Sequence, residues 1–350
     1  MLYGYGVYIR RGLRVASSSI KGNARASKDG TGKSKFHAFI LSMNEHHTQK
    51  NMKIPSKYKF WRYPLILKIK YAIIAFFNPK HISLKYWINS NIYTWTSKIK
   101  PYNWGDFVNV KLAELISCKT IIPYKFSCKK ETIAMMGSIL PWALDKDTIV
   151  WGSGTLSSQD PLWNTIEKPL SVRAVRGPLT RQLLLSRGID CPEVYGDPAL
   201  LFPRYYTPNV EKRYKYGVIL HVSTTTNEAI YSKLNTILGG GNVLIINTKQ
   251  FSSWHSFIDN ICSCEAIVSS SLHGIIIADA YEVPNVWISL DENHPDDNFK
   301  FKDYYLSVNK DISQPLNFDT ITPQQIQNHI QHWQKPDIDL DKLLSVCPLI

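Results

Sequence analysis

Residues 171–188, with the sequence SVRAVRGPLTRQLLLSRG, contain the pattern that decides the fold class. A β-rich run from Ser171 to Val175 predicts a strand, and Pro178 to Arg187 predicts a helix that ends before Gly188. Gly177 permits a sharp turn between them, and proline is favoured at the first position of a helix. Strand-to-helix units of this kind build parallel sheets, because parallel strands need a crossover connection. The stretch therefore predicts an α/β protein.

The same alternation of strand and helix extends on both sides of this stretch. Further strands are predicted upstream over residues 92–95, 132–136 and 148–151, and downstream over 217–222, 243–246, 266–268 and 286–288. Helical patterns lie between them, which indicates repeated parallel βαβ units. The proline-containing stretch Phe202–Pro208 separates the two series and predicts an interdomain linker. We therefore expect two Rossmann-like domains that face each other across a cleft.

Four segments follow from this division of the 350-residue chain. We predict a basic extension over residues 1–90, an N-terminal Rossmann-like domain over 91–205 and a C-terminal one over 206–312. The remaining residues, 313–350, predict a helical tail that packs back on the body. A chain of this length can bury a full core without disulfide or metal staples.

Positive charge is concentrated in the N-terminal region. The first 100 residues hold 19 of the 41 Lys and Arg residues but only two of the 28 acidic ones, so the net charge of +13 does not describe the rest of the chain. Residues 17–35 have the composition of a disordered segment. Residues 58–90 mix aromatic, aliphatic and lysine residues as an amphipathic helix does. That helix is predicted either to pack on the main body or to contact an anionic membrane surface.

Several classes of protein are disfavoured by the sequence. No apolar run reaches the roughly 20 residues of a bilayer span, and the first residues do not form a secretory signal. The six cysteines are dispersed like reduced thiols of a cytosolic protein and lack the spacing of a zinc site. We expect a cytoplasmic protein, at the inner face of the membrane if the basic helix contacts lipid. We expect no bound metal and no nucleic-acid partner.

The turn after the predicted strand 171–175 places Arg176 beside a helix N-terminus. Ligands of open α/β sheets bind at the carboxyl ends of the strands. The free N–H groups of a helix N-terminus attract anions, and a guanidinium binds a carboxylate or phosphate with two parallel hydrogen bonds. Arg176 is therefore a candidate anion ligand. The alternative is a surface arginine paired with a nearby carboxylate.

A second turn, Ser269 to Gly274, follows another apolar strand and contains His273. A histidine near a helix N-terminus favours its neutral form, because the helix dipole opposes positive charge there. A bound anion acts in the opposite direction, so the protonation of His273 would respond to ligand. His273 is a candidate acid–base or anion-binding residue. The alternative is a structural histidine next to a helix capped by Ser271.

Two carboxylates and a second histidine lie at similar positions. Asp106 in Asn103-Trp104-Gly105-Asp106 and Asp197 in Gly196-Asp197-Pro198 are each predicted either to cap the following helix or to act as a general base. His221 lies near the end of the first strand of the second series. It is predicted either to face the cleft or to be a satisfied buried side chain.

Glycine-rich loops follow the predicted strands of the first series. They contain Gly137, Gly152 and Gly154, with Ser153 between the last two. The dinucleotide fingerprint G-x-G-x-x-G is absent, because Ser157 stands where the third glycine belongs, and so is the G-x-S-x-G elbow. Dinucleotide-dependent enzymes and α/β-hydrolases are therefore disfavoured.

Six short motifs in this order resemble the polysaccharide pyruvyl transferase family over about residues 90–310. They are Asn103-Trp104-Gly105-Asp106, Met136-Gly137-Ser138-Ile139-Leu140, Trp151-Gly152-Ser153-Gly154, Val175-Arg176-Gly177-Pro178, Tyr195-Gly196-Asp197-Pro198-Ala199-Leu200-Leu201 and Ser270-Ser271-Leu272-His273-Gly274. Each motif is weak alone. The resemblance rests on their order and on the agreement of their predicted strand and helix contexts.

The resemblance implies a GT-B-like fold and the transfer of pyruvate from phosphoenolpyruvate to a sugar as a cyclic ketal, with release of phosphate. It links Arg176 and His273 with phosphoenolpyruvate, together with the backbone of Leu272. Ketal formation needs a general acid and a general base, and as a hypothesis we assign catalytic roles to His273 and to Asp106 or Asp197. The predicted substrate-binding residues are Arg176, Leu272, Ser271, Gly274, Asn103, Gly105, His221, Gly137 and Ser153. The donor substrate takes the place of a cofactor, and the acceptor is a saccharide, lipid-linked if the membrane contact exists.

Two other functions are compatible with parts of the sequence. A GT-B glycosyltransferase would bind a nucleotide sugar near the same two turns, because the fold alone does not separate the two activities. A binder of membranes or nucleic acid would use the basic N-terminal residues on an inactive scaffold. No aromatic and basic pattern of a known nucleic-acid module supports that last function.

Overall fold

The first half of the protein is built on a five-stranded parallel sheet of strand order β2-β1-β3-β4-β5. The computed structural model describes residues 65–88, 103–290, 298–311 and 314–350. The strands are β1 (Ile82–Lys85), β2 (Ile121–Pro123), β3 (Thr132–Ala134), β4 (Thr148–Trp151) and β5 (Ser171–Ala174). The first three are buried along their whole length and β4 nearly so, as expected for parallel strands covered on both faces.

Helices α1 to α4 and three short 3₁₀ helices accompany this sheet. The helices are α1 (Leu65–Phe77), α2 (Trp104–Ser117), α3 (Leu140–Ala143) and α4 (Pro178–Leu185), and the 3₁₀ helices span Tyr124–Phe126, Pro161–Asn164 and Pro198–Arg204. Helix α4 begins with Pro178 directly after Gly177. The strand, turn and helix predicted from residues 171–188 are therefore confirmed.

The second half contains another five-stranded parallel sheet, of strand order β10-β9-β8-β6-β7. Its strands are β6 (Tyr214–Ile219), β7 (Val243–Ile245), β8 (Cys264–Ser269), β9 (Asn285–Ser289) and β10 (Leu316–Asn317). Helices α5 (Glu228–Ile237), α6 (Ser256–Cys262), α7 (Leu272–Ala280) and α8 (Phe299–Ser307) accompany it. Two parallel sheets with helical connections confirm the predicted α/β class and fit two Rossmann-like domains.

The C-terminal residues contact both halves of the protein. Helix α9 (Pro323–Gln331) packs near β9, and α10 (Leu340–Ser345) reaches the 3₁₀ helix Pro198–Arg204. The indole Nε1 of Trp151, at the end of β4, donates a hydrogen bond of 2.9 Å to the carbonyl oxygen of Leu343. Leu343 itself is fully buried. Helix α10 therefore lies at the carboxyl end of β4 in the first sheet.

The first sheet begins earlier than the boundary at residue 91 that the sequence predicted. Strand β1 pairs with both β2 and β3, although it lies within the segment assigned to the extension. Because Ser83 and Lys85 are polar, the sequence pattern did not predict this buried strand. The Nζ atom of Lys85 is satisfied inside the protein by Ala143 O at 2.8 Å and by Asp145 and Thr148 at 2.6 Å each. The strand predicted over residues 92–95 lies outside the described residues.

Helix α1 lies within the predicted helical region 58–90 and is apolar on two faces. The inner face packs on the first half, where Tyr71 stacks on Phe126 with 4.9 Å between ring centroids. The outer stripe, defined as Ile69, Ile73, Phe76 and Phe77, is exposed to solvent, Phe77 by 74%. Packing on the main body is thus observed. Within the described residues, no helix combines the length and apolarity needed to cross a bilayer.

Candidate active site

Arg176 follows β5 and is completely buried. Its Nε donates to Asp303 Oδ2 at 3.2 Å, its Nη1 to Ser138 Oγ at 2.7 Å and its Nη2 to the carbonyl of Thr155 at 2.7 Å. The alternative prediction of a surface arginine is therefore wrong, because Arg176 is buried. The carboxylate partner of that prediction does exist and is Asp303. Of the five guanidinium N–H groups, two make no hydrogen bond within the described residues, one on each terminal nitrogen.

The backbone of Gly154 lies flat against this guanidinium. A Cβ atom at position 154 would lie 2.6 Å from Cζ of Arg176, closer than real contacts allow. The Gly154 N–H donates to Gly137 O at 3.0 Å, which ties the loop after β4 to the loop after β3. The glycine loops predicted at the strand ends therefore form the surroundings of Arg176.

His273 lies in the first turn of α7 and contacts the first half of the protein. A Cβ atom at Gly105, in the first turn of α2, would overlap the imidazole ring. The Nε2 atom is buried and has no hydrogen-bond partner within the described residues. Burial, together with the smaller effects of the positive charges of Arg176 and Lys300, lowers the pKa of His273 to about 4. The ring is therefore neutral at neutral pH, as predicted, but burial is the main cause.

Helix α7 presents its N-terminus to the same region. Ser271 occupies the N-cap position, yet its side chain makes no capping hydrogen bond. Its N–H donates instead to Ser269 Oγ at 3.0 Å. The next three amides, of Leu272, His273 and Gly274, have no acceptor within the helix, because the first N–H groups of any helix lack one. These donors and the helix dipole form a setting for an anion.

Asp106 is the third residue of α2. It does not cap the helix as one alternative predicted, since Asn103 is the N-cap residue and the helix has no side-chain cap. Burial raises the pKa of Asp106 to about 7, although the Asn103 amide lies 3.4 Å away and lowers it somewhat. A carboxyl group that titrates near neutral pH can accept or donate a proton under ordinary conditions.

Asp197 does cap a helix. Its Oδ1 accepts a hydrogen bond of 3.0 Å from the Ala199 N–H at the start of the 3₁₀ helix. Its Oδ2 atom is buried without a partner among the described residues. Burial raises the pKa of Asp197 to about 6, against the opposing effects of the Ala199 hydrogen bond and the Arg176 charge. The Oδ1 atom of Asp197 therefore stabilises the 3₁₀ helix, and the Oδ2 atom remains available to accept a hydrogen bond or a proton.

Four buried polar atoms at this edge of the first sheet lack hydrogen-bond partners in the described part of the chain. They are His273 Nε2, Ser153 Oγ, Asp197 Oδ2 and Asn109 Oδ1. Asn109 reaches the edge through its amide nitrogen, which donates to Met136 O at 3.0 Å. Buried polar groups are nearly always paired in proteins, so several orphans together indicate a place where a polar ligand binds.

His221 follows β6, near the start of α7 but beside different partners. Its N–H donates to Ser270 Oγ at 2.9 Å, and its Nδ1 lies 2.8 Å from Ser223 Oγ. The ring is partly exposed. His221 is thus neighbour to the His273 turn through backbone and hydroxyl contacts.

Sequence reasoning missed several residues of this site. They are Asn109, Ser138, Thr155, Thr180, Lys300 and Asp303. Ser138 belongs to a motif that was singled out, but its hydroxyl received no role. Lys300 and Asp303 lie in α8, whose sequence FKFKDYYLS is typical of a solvent-exposed helix. Nothing in that sequence signals that both residues are buried.

Comparisons with known proteins show which family the chain is similar to. The family model for polysaccharide pyruvyl transferase matches residues 38–292, more than half of the chain. The resemblance inferred from the six motifs is confirmed. The match begins well before residue 90, which agrees with the position of β1 in the first sheet.

Two relatives are similar to this chain. Uncharacterized protein L143 of Acanthamoeba polyphaga mimivirus is 29% identical over 259 residues, which cover 70% of this chain and 84% of the relative. Succinoglycan biosynthesis protein ExoV of Rhizobium meliloti (strain 1021) is 28% identical over 222 residues, which cover 59% of this chain and 64% of ExoV.

Proposed function

Because the chain belongs to the polysaccharide pyruvyl transferase family, we propose that it transfers pyruvate from phosphoenolpyruvate to a saccharide as a cyclic ketal and releases phosphate. The observation that carries the proposal is a buried arginine, with two uncommitted N–H groups, whose charge acts on His273 in the first turn of α7. Phosphoenolpyruvate carries a carboxylate and a phosphate. A fork-shaped cation and a helix N-terminus suit these two groups.

The reaction needs one proton delivered to carbon and two removed from hydroxyl groups. Protonation of the methylene carbon makes C2 electrophilic, and one sugar hydroxyl forms the first C–O bond. The second hydroxyl forms the other C–O bond as the C2–O bond to the phosphate group breaks. One hydroxyl proton is balanced by the new methyl group and the other leaves with phosphate. The residues at the site therefore have to move protons in both directions.

Three side chains are suited to donate or accept these protons. His273 is neutral without ligand, and the negative charges of the donor would raise its pKa and let it hold a proton beside the methylene carbon. Asp106 and Asp197, with pKa values raised to about 7 and about 6, are candidates to accept a proton from a sugar hydroxyl. Arg176 binds the donor and offsets the charge of the leaving phosphate.

A thermal-shift comparison tests the donor. Phosphoenolpyruvate at about 100 times its Kd should stabilise the folded protein by about 2.7 kcal/mol, because a ligand that binds only the native state shifts unfolding. UDP-linked and GDP-linked sugars should not. Stabilisation by a nucleotide sugar alone would contradict the proposal and support the glycosyltransferase alternative.

Asp106 predicts a specific pH dependence. A general base with a pKa of about 7 is ionised only above that pH, so the turnover number should rise as pH increases through 7. Asp106→Asn should remove this limb and lower turnover roughly 100-fold. An unchanged pH profile in Asp106→Asn would leave Asp197 as the base.

Protein stability provides the control for the Asp106 variant. The pKa of Asp106 in the folded state is above its unfolded value, so native protein binds more protons and loses stability as pH rises from about 4 to about 7. Asp106→Asn carries no such penalty and should melt at a higher temperature than the parent at pH 8. A variant that is inactive but more stable shows that the loss of turnover is not a loss of folding.

We also propose that the outer stripe of α1 contacts an anionic bilayer at the cytoplasmic face of a membrane, where a lipid-linked acceptor would be available. Four apolar side chains are exposed on helix α1. This helix lies within residues 1–100, which contain 19 basic and two acidic residues. Apolar contact combined with attraction of basic residues to anionic lipid is the usual basis of interfacial binding.

Vesicle sedimentation measures this contact. The full chain should sediment with vesicles that contain phosphatidylglycerol and not with phosphatidylcholine alone. The double variant Ile73→Glu and Phe77→Glu should bind at least roughly tenfold more weakly. Leu185→Glu, on α4, is the matched control, since Leu185 is as exposed as Ile73 but lies elsewhere. Equal binding of both variants would overturn the proposal.

A further inference from the structure

Asp303 connects α8 to the turn that contains Arg176. Its Oδ2 accepts hydrogen bonds from Arg176 Nε at 3.2 Å and from Thr180 Oγ1 at 2.6 Å, and its Oδ1 accepts from the Thr180 N–H at 2.9 Å. All three residues are fully buried. Helix α8 lies between β9 and β10 of the second sheet, whereas Arg176 and Thr180 belong to the first half. A carboxylate from one part of the chain therefore holds a cation of the other.

The backbone is adapted to this contact. A Cβ atom at Gly177 would overlap the carbonyl oxygen of Asp303 and lie 2.6 Å from its Oδ1. Helix α8 therefore approaches the turn between β5 and α4 more closely than any other residue at 177 would allow. The position of Asp303 is built into the turn and does not depend on its side chain alone.

These contacts fix the direction of the guanidinium. Each nitrogen of the Arg176 guanidinium donates one hydrogen bond, to Asp303, Ser138 or the carbonyl of Thr155. Rotation of the guanidinium would therefore break three hydrogen bonds at once. The two remaining N–H groups are consequently held in one orientation. A carboxylate or a phosphate needs two such donors for bidentate binding.

We propose that Asp303 is a positioning residue that orients Arg176 for the anionic donor. This inference rests on the proposed function. A buried ion pair contributes little net stability, because desolvation of both charges offsets their attraction. Preorganisation of a binding group accounts for the pair better, since a ligand then orders no side chain on binding.

The substitution Asp303→Asn tests the role with little change of shape. Both carboxylate oxygens accept from donors, so the amide NH₂ must face a donor in either orientation. Arg176 keeps its charge, and its direction is then fixed only by Ser138 and the Thr155 carbonyl. We expect the KM for phosphoenolpyruvate to rise roughly 10- to 100-fold, and kcat at saturating donor to fall as well, because Arg176 also offsets the charge of the leaving phosphate.

Asp279→Asn is the matched control. Asp279 is also a buried carboxylate, and it is paired with Lys310 at 2.6 Å and hydrogen-bonded to Tyr304 at 2.8 Å, with no hydrogen bond to Arg176 within the described residues. Its loss should lower the melting temperature and leave the KM for phosphoenolpyruvate unchanged. If both variants raise KM equally, Asp303 has only a structural role and the inference fails.

A double-variant cycle separates this inference from the proposed function. In an Arg176→Ala background, Asp303→Asn should raise the KM no further, because the group that Asp303 positions is gone. If Arg176→Ala raises the KM and Asp303→Asn does not, the inference fails and the proposed function stands. If Arg176→Ala leaves donor binding intact, the proposed function fails first.

Thr180→Val is the second variant, for use if Asp303→Asn does not fold. It removes one hydrogen bond to Asp303 at nearly constant volume and leaves the Thr180 N–H in place. The KM should rise roughly two- to fivefold, a smaller change in the same direction. An unchanged KM in Thr180→Val would overturn the inference.

Discussion

Replacement of Arg176 or His273 by alanine should lower kcat/KM for phosphoenolpyruvate roughly 100-fold. Arg176 supplies two uncommitted N–H donors, and His273 presents a buried Nε2 without a partner in the described part of the chain. Removal of one preorganised donor to a developing charge typically costs a factor of about 100 to 1,000. Initial rates of phosphate release, measured with donor varied below its KM, give the value directly.

Loss of the arginine also affects folding, and a second variant separates the two effects. Arg176→Ala leaves Asp303 as an uncompensated buried charge, which costs about 3–5 kcal/mol of stability. Arg176→Lys keeps a positive charge but cannot form the fork of parallel hydrogen bonds. We expect it to remain folded, by circular dichroism and melting temperature, and still to lose most activity.

Arg181→Ala provides the control for charge alone. Arg181 lies on the same helix α4, pairs with Glu193 at 3.2 Å and donates from Nε to the Cys191 carbonyl at 3.0 Å. A partly exposed pair contributes between 0 and about 1 kcal/mol and the hydrogen bond about 1 kcal/mol, so this variant should lose little stability and keep parental activity. Wild-type kcat/KM in Arg176→Lys and His273→Ala together would contradict the assignment of the donor site.

Local sequence signals predicted the elements that carry the site. Gly177 and Pro178 define the turn after β5, and Ser271 to Gly274 define the start of α7, because turn and cap preferences act over a few residues. The strand-to-helix alternation likewise predicts two parallel sheets. These features require no knowledge of distant contacts.

The rest depends on contacts that no local pattern encodes. Lys85 marks β1 as polar, yet its ammonium is satisfied by residues about 60 positions away. Asp303 occurs in a helix with an exposed-looking sequence, and its partner Arg176 lies 127 positions away. Binary patterning assigns charged residues to the surface, so it fails where a buried network satisfies them.

Addition of a single methyl group at Gly105 or Gly154 should reduce kcat/KM roughly 100-fold. The Cβ of Gly105→Ala would overlap the His273 ring, and that of Gly154→Ala would lie 2.6 Å from the Arg176 guanidinium carbon. Neither glycine has a positive φ angle, so alanine causes no backbone strain at either position. The side chain in contact must move, and a displacement of about 1 Å at a reacting group can cost a factor of 100.

Replacement of Gly105 by alanine does not weaken the helix, so the variant tests only whether the His273 side chain must keep its position. Alanine is favoured over glycine within a helix by about 0.5–1 kcal/mol, so a loss of activity in Gly105→Ala arises from the contact with His273 and not from a weakened helix α2. Gly241→Ala is the control, because a Cβ there meets nothing within 4 Å. Parental kcat/KM in both site variants would show that neither His273 nor Arg176 must stay where the structure places it. A loss in Gly154→Ala alone would assign the donor to Arg176 without His273.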